Sequence, residues 1–276
     1  MTPYARELSV AHDIALAAAA VVRSYIGRPV HVQSKAGNEP VTEADHAANR
    51  LIVARLAADF PEDVILSEEL PDDGSRHGAA RVWMVDPIDG TTDFIMGATG
   101  FAVMIGLCVD GRPTLGVVSQ PTNDKTYAGV VGQGAWVQIG TAARVALRTT
   151  TLAGPPGIRL VASKSHRTPR VDALRRALSI DDEMNIGSVG LKVGLVAEGA
   201  RDLYVYTGGR TKLWDTCGPE AILTAAGGRL TDVDGRLLAY TAPDLHNRRG
   251  IVASNGPLHD VVIAALAPLL ATTSID

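Results

Sequence analysis

Val82-Trp83-Met84-Val85-Asp86-Pro87-Ile88-Asp89-Gly90-Thr91-Thr92-Asp93-Phe94 is the stretch around which the rest of the chain can be read. Its apolar start has strand character and ends on Asp86, and Pro87 fixes the backbone of an exit turn. Asp89 follows three residues later, so both carboxylates can point into one space at the strand end. Gly90 permits a sharp, left-handed bend, and Thr91 and Thr92 are N-cap candidates for a short helix. Two hard oxygen ligands then stand beside backbone N–H groups. Carboxylates suit Mg²⁺ and a helix start suits phosphate, so the stretch points to metal-assisted phosphate chemistry. Asp-Pro-x-Asp-Gly is also an ordinary turn sequence, so the remainder of the chain has to carry the decision.

Working outward, residues 4–26 carry an Ala-rich helical pattern through Leu8, Ile14, Ala18 and Val22. Lys35–Asp45 reads as a loop turning into a helix. Thr42 is its N-cap, with Asp45 where a capping box has Glu, and the helix stops near Phe60-Pro61. Val64-Ile65-Leu66 is a short buried strand leading to Ser67-Glu68-Glu69, and Pro71 to Ala80 is expected to be a mobile loop. Beyond the central stretch, Phe101–Val109, Thr114–Ser119 and Thr126–Val131 form an antiparallel meander, with Asp110-Gly111 as a hairpin turn. Thr149–Gly157 reads as a linker. Strand (158–162), helix (169–178), helix (to Gly199), strand (202–206), a helix opened by Trp214-Asp215, strand (250–253) and helix (257–270) then suggest an α/β layer. Two parts are expected, 1–148 with the antiparallel sheet and most ligands, and 149–276 with Asp215 and the substrate side.

The 276-residue chain is 46% hydrophobic but only 4% aromatic, so its core is Ala, Val, Leu and Ile. A net charge of −4 argues against binding a nucleic acid polymer through a basic surface. Cys108 and Cys217 supply neither a disulfide framework nor a zinc pattern, and Cys108 reads as core. The apolar run Ile14–Val22 follows Glu7 and Asp13 and is too short to span a bilayer, so a cytoplasmic protein without a membrane partner is expected.

Asp45, Glu68, Asp86 with Asp89, and Asp215 each sit at the end of an element, where rigid ligands belong. Pro40-Val41-Thr42-Glu43-Ala44-Asp45, Ser67-Glu68-Glu69, Asp86-Pro87-Ile88-Asp89-Gly90-Thr91 and Trp214-Asp215, in that order, resemble the lithium-sensitive, Mg²⁺-dependent phosphomonoesterases of the inositol monophosphatase superfamily. Within it, Lys35-x-x-Asn38, Ser163-Lys164-Ser165-His166, Gly187-Ser188 through Lys192, and Trp214-Asp215-Thr216-Cys217-Gly218-Pro219-Glu220 look most like the 3'(2'),5'-bisphosphate nucleotidases. Their substrate class is 3'-phosphoadenosine 5'-phosphate, a by-product of sulfate activation. Thr92-Asp93 departs from the Lys-Glu common in that branch and approaches the Thr-Asn of inositol monophosphatases.

The resemblance implies an α+β fold, a layered αβαβα sandwich. It implies two or three Mg²⁺ ions held by Glu68, Asp86, the Ile88 carbonyl, Asp89 and Asp215, with Asp45 and Thr91 deprotonating the attacking water and Glu68 assisting. Gly90, Thr91 and Thr92 would meet the scissile phosphate. Ser163, His166, Ser188 and Lys192, with Lys164 or Arg210 as further cations, would meet the rest of the substrate. It also allows a homodimer. An inositol monophosphatase or broader sugar-phosphate phosphatase is the alternative enzyme, and a regulatory partner protein retaining the fold is the alternative of another class.

Overall fold

The computed structural model describes residues 2–35, 40–164 and 167–271. Helix α1 (Ala5–Tyr25) precedes two three-residue strands, β1 (Val32–Ser34) and β2 (Pro40–Thr42), which pair antiparallel where the sequence suggested only loop. Helix α2 (Glu43–Asp59) follows, then β3 (Val64–Ser67), β4 (Arg81–Asp89) and the five-residue helix α3 (Thr91–Ile95). The meander is β5 (Ala102–Val109), β6 (Arg112–Gln120), β7 (Lys125–Val130), β8 (Gly134–Ile139) and β9 (Val145–Ala146). The second half runs β10 (Arg159–Ser163), α4 (Pro169–Ala177), β11 (Asp182–Ile186), α5 (Val189–Ala197), β12 (Leu203–Tyr206), α6 (Leu213–Ala225), β13 (Arg229–Thr231), β14 (Ile251–Ser254) and α7 (His259–Ala271).

Seven strands form one sheet in simple sequence order from β3 to β9, and five form a second in the order β11-β10-β12-β14-β13. The first sheet ends at Ala146 and the second begins at Arg159. Three hydrophobic clusters define the layers. One packs α1 and α2 on Trp83, Val85, Ile105 and Val117 of the first sheet. A second joins the opposite face, at Met84, Met104 and Val118, to α5, α6 and the second sheet. The third lies between the second sheet's far face and α4 and α7. The order is α, β, α, β, α, which is the layered α+β fold expected. Strands β4 and β5 are covered on both faces, which is why they read as continuous apolar runs.

Helix α6 lies unusually close to the first sheet. A Cβ at Gly106 would stand 2.5 Å from the Gly218 backbone nitrogen, so the sheet and helix meet backbone to backbone. This contact sets the depth at which the start of α6, and Asp215 with it, enters the interior. The 71–80 loop is anchored at one residue. Arg76 is buried, and its guanidinium donates to Asp72 and to the carbonyls of Ala242 and Pro243.

Candidate active site

Strand β4 does not stop at Asp86. It continues to Asp89 through a bulge. Asp86 faces Met104 of β5 and Asp89 faces Ala102, so three steps on one strand match two on the other. Pro87 has no N–H to offer the ladder, and the Ile88 N–H donates instead to Asp86 Oδ1 at 2.9 Å. The bulge re-aims the chain so that Asp86, the Ile88 carbonyl and Asp89 reach the same cavity. Gly90 then takes the N-cap position at φ 95°, displacing the two threonines expected there. A side chain at Gly90 would meet the Gly100 carbonyl at 2.9 Å.

Freed from capping, the Thr91 hydroxyl lies 3.0 Å from the Ile88 carbonyl and 3.2 Å from Asp45 Oδ1. Asp45 is the third residue of α2. Its Oδ2 accepts from the Thr42 N–H at 2.8 Å and the Thr42 hydroxyl at 2.6 Å, completing the capping box with the shorter acid. Asp215 occupies the same position in α6, where its Oδ2 accepts from the Lys212 N–H at 2.7 Å. Both carboxylates are thus aimed by helix starts, with one oxygen of each held by the N-cap backbone.

Glu68, Asp86, Ile88, Asp89, Gly90, Thr91, Thr92, Ser163, Lys192 and Asp215 line one cavity of about 300 Å³. Asp45 reaches it through Thr91. Ser188 lies beneath its floor. The Ser188 hydroxyl donates to Asp89 Oδ2 at 2.5 Å and accepts from the Leu191 N–H, capping α5, so its only proton is committed to Asp89 and not to a substrate atom. His166, Ser165 and Asn38 lie outside the described residues.

The electrostatics are those of crowded acids. Burial pushes Asp86 well above the usual carboxylate range, and the charges of Glu68, Asp89 and Asp215 push it further. Asp215 is raised by desolvation and then by Asp89 and Glu68. Asp89 is raised by burial, against the pull of Lys192, Ser188 and the Gly190 N–H. Burial also raises Asp45. Lys192 is no solvated helix lysine. It is 1% exposed, burial lowers its pKa to about 8, and its ammonium donates to the carbonyls of Ile186 and Gly187.

Three further side chains take their place at the site only through the tertiary fold. Lys35 pairs with Glu68 at 3.0 Å and Glu69 at 2.5 Å, placing positive charge behind one proposed ligand. Asp93 is buried and lines the cavity, its carboxylate packed so closely that a Cβ on Gly187 would stand 2.5 Å from Asp93 Oδ2. Arg210, one of the cations the sequence offered for the substrate, lines the same cavity from the second half of the chain. Which groups these side chains meet depends on which distant segments fold together, so local pattern names the residues without their contacts.

Among the described residues, no three His, Cys, Asp or Glu side chains form a ready metal cage. The donor set nevertheless suits a hard divalent cation. It is all oxygen, it is mutually repulsive, and Mg²⁺ takes only a few carboxylates and completes its shell with water and phosphate.

Fold and site together define a phosphatase built on a layered α+β scaffold, with carboxylates from the strand ends of the first sheet and from the start of α6 converging on one cavity. The chain belongs to the inositol monophosphatase family, which it matches over residues 4–270. Among its relatives is the 3'(2'),5'-bisphosphate nucleotidase CysQ of Escherichia coli K12, 38% identical over 224 residues, 80% of this chain and 88% of that one. Another is the histidinol-phosphatase of Mycobacterium tuberculosis, 32% identical over 240 residues, 86% and 88% of the two chains. The solved structure of CysQ from Bacteroides thetaiotaomicron superposes with a TM-score of 0.77 at 30% identity, covering 92% of this chain and 99% of that one. No helix among the described residues is long and apolar enough to cross a membrane.

Proposed function

We propose that this chain is a Mg²⁺-dependent 3'(2'),5'-bisphosphate nucleotidase that removes the 3'-phosphate of 3'-phosphoadenosine 5'-phosphate. The observation that carries the reading is the convergence of Glu68, Asp86, the Ile88 carbonyl, Asp89 and Asp215 on one cavity beside Thr91. The 38% identity to a nucleotidase of that name supports the substrate class.

Those five residues would hold the Mg²⁺ ions. When bound, Mg²⁺ neutralises the phosphate dianion and acidifies water. The protein's own groups do the rest. Asp45 Oδ1 takes the proton relayed by the Thr91 hydroxyl, and burial makes Asp45 a stronger base than an exposed aspartate. The backbone at Gly90, Thr91 and Thr92 orients the scissile phosphate. Ser188 and the Gly190 N–H keep Asp89 aimed at the cavity. Lys192 offsets part of the carboxylate charge from within the wall. Ser163, with Arg210 across the cavity, contacts the remainder of the nucleotide. Lithium, which can occupy a Mg²⁺ position, is expected to inhibit.

A second reading rests on Asp93. A carboxylate in the wall accepts hydrogen bonds and repels phosphate, which favours a hydroxyl-rich or amine-bearing ester over a bisphosphate.

The deciding assay is phosphate release with Mg²⁺ from 3'-phosphoadenosine 5'-phosphate, inositol 1-phosphate, fructose 1,6-bisphosphate and histidinol phosphate. The nucleotide should lead in kcat/KM by at least about tenfold, equivalent to about 1.4 kcal/mol. A lead by inositol phosphate or histidinol phosphate transfers the assignment to the second reading. No release from any of them, with Mg²⁺ bound, leaves a partner protein that keeps the fold.

A further inference from the structure

Two buried polar groups outside the cavity, Arg76 and Glu220, hold one irregular segment, residues 238–247, which ends on the buried Asn247. Arg76 is 3% exposed and spends its guanidinium on the Ala242 and Pro243 carbonyls, at 2.7 and 2.8 Å, and on Asp72 at 2.9 Å. Asp72 and Arg76 belong to the loop that leaves Glu68-Glu69. Glu220, also 3% exposed, accepts from the Tyr240 hydroxyl at 2.7 Å and from Arg112 at 2.6 Å. Arg112 donates in addition to the Leu238 carbonyl at 3.1 Å. At the far end of the segment, Asn247 Nδ2 donates to the Lys212 carbonyl at 3.1 Å and lies 3.3 Å from the Thr216 hydroxyl. The Leu213 N–H donates to Leu245, and the Asn247 N–H donates to Thr211. Lys212 is the residue whose N–H holds Asp215.

We infer that segment 238–247 is a bracket that sets the spacing between the two ends of the carboxylate site. One arm, Arg76, fixes the exit of the Glu68 turn. The other, Glu220 with Tyr240 and then Asn247, fixes the start of α6 and so Asp215. This rests on the Mg²⁺ reading above. Neither Arg76, Glu220 nor Tyr240 lines the cavity, so all three are positioning residues.

Burying a guanidinium and a carboxylate is costly, and hydrophobic packing of equal volume often stabilises a protein as well. What charged anchors add is direction. Arg76 satisfies three acceptors in one plane, which a lysine cannot do. Groups bonded directly to a ligand alter metal affinity by about 10–100-fold when removed, and a bracket acting one step further out is expected at the low end of that range.

The test is calorimetric titration of Mg²⁺ into the full chain, for the wild type, Arg76→Lys, Tyr240→Phe and the double variant, with thermal melts beside it. Both single variants should bind Mg²⁺ at least about tenfold more weakly while remaining folded, with kcat at saturating Mg²⁺ near that of the wild type. The double variant should lose less than the product of the two factors, because both act through one segment. Glu220→Gln replaces Tyr240→Phe if the latter does not fold. Folded variants that bind Mg²⁺ within about twofold of wild type overturn the bracket, even if they melt lower. A wild-type chain that binds no Mg²⁺ removes the metal reading, and the bracket with it.

Discussion

Thr91→Val tests the proposed proton relay most directly. Valine keeps the shape and β-branching of threonine and removes only the hydroxyl. In the structure that hydroxyl is 3.2 Å from Asp45 Oδ1 and 3.0 Å from the Ile88 carbonyl, and Thr91 is half-buried at the start of α3. The hydroxyl has one proton for these two acceptors, so one hydrogen bond is lost, and at a site water can partly refill this should cost about 1–2 kcal/mol of stability. For a chain of this size that lowers Tm by roughly 2–8 °C. The kinetic effect should be much larger. General-base assistance contributes about 10²–10⁴ in rate, equivalent to about 2.7–5.4 kcal/mol of barrier. The expected result is a fall of that size in kcat, with KM for the phosphate ester within a few-fold of wild type. Thr91→Ser, which restores the hydroxyl, should recover most of the rate. The assay is steady-state phosphate release at saturating Mg²⁺, with a melt on each variant. A Thr91→Val enzyme with kcat within about tenfold of wild type would refute the relay, because the barrier change would be under about 1.4 kcal/mol.

Gly90→Ala should destabilise by more than about 2 kcal/mol in urea unfolding, since the left-handed conformation alone costs about 1–2 and the new Cβ meets the Gly100 carbonyl at 2.9 Å. Metal-free chain should gain stability on adding Mg²⁺, about 2.7 kcal/mol at a hundredfold excess over Kd, and a flat melting curve across the titration would count against the site. His259 is buried between Ser254 and Thr231, and burial lowers its pKa from 6.5 to about 4. The unfolded chain therefore binds this proton before the folded one, so the contribution is complete above about pH 6.5 and is lost as pH falls towards 4, by up to about 3 kcal/mol. Urea midpoints measured over that range should fall more steeply for the wild type than for His259→Asn.

The layered fold was legible because its elements follow local rules. Apolar runs long enough to be covered on both faces mark β4 and β5, Asp110-Gly111 marks the hairpin from β5 to β6, and Thr42 before a periodic run marks α2. Strands β11 and β9 escaped because nothing local announces them. Asp182–Ile186 is polar and sits at a sheet edge, where only pairing with β10 makes it a strand. The bulge at Pro87 was read as a turn for a similar reason, since whether a proline ends a strand or bends it depends on the partner strand beyond.

The site divides along the same line. Sequence alone determined which carboxylates to suspect, because Asp45, Glu68, Asp86, Asp89 and Asp215 fall at element ends, a position set by local chain geometry. Only the tertiary structure decided what surrounds them. It buries Lys192 against the Ile186 and Gly187 carbonyls, spends Ser188 on Asp89, brings Lys35 to Glu68, and runs Arg76 across to Ala242. Those contacts join residues up to 166 positions apart in the chain. Their strength comes from exclusion of water, which is a property of the packed interior and has no counterpart in a linear pattern of residues.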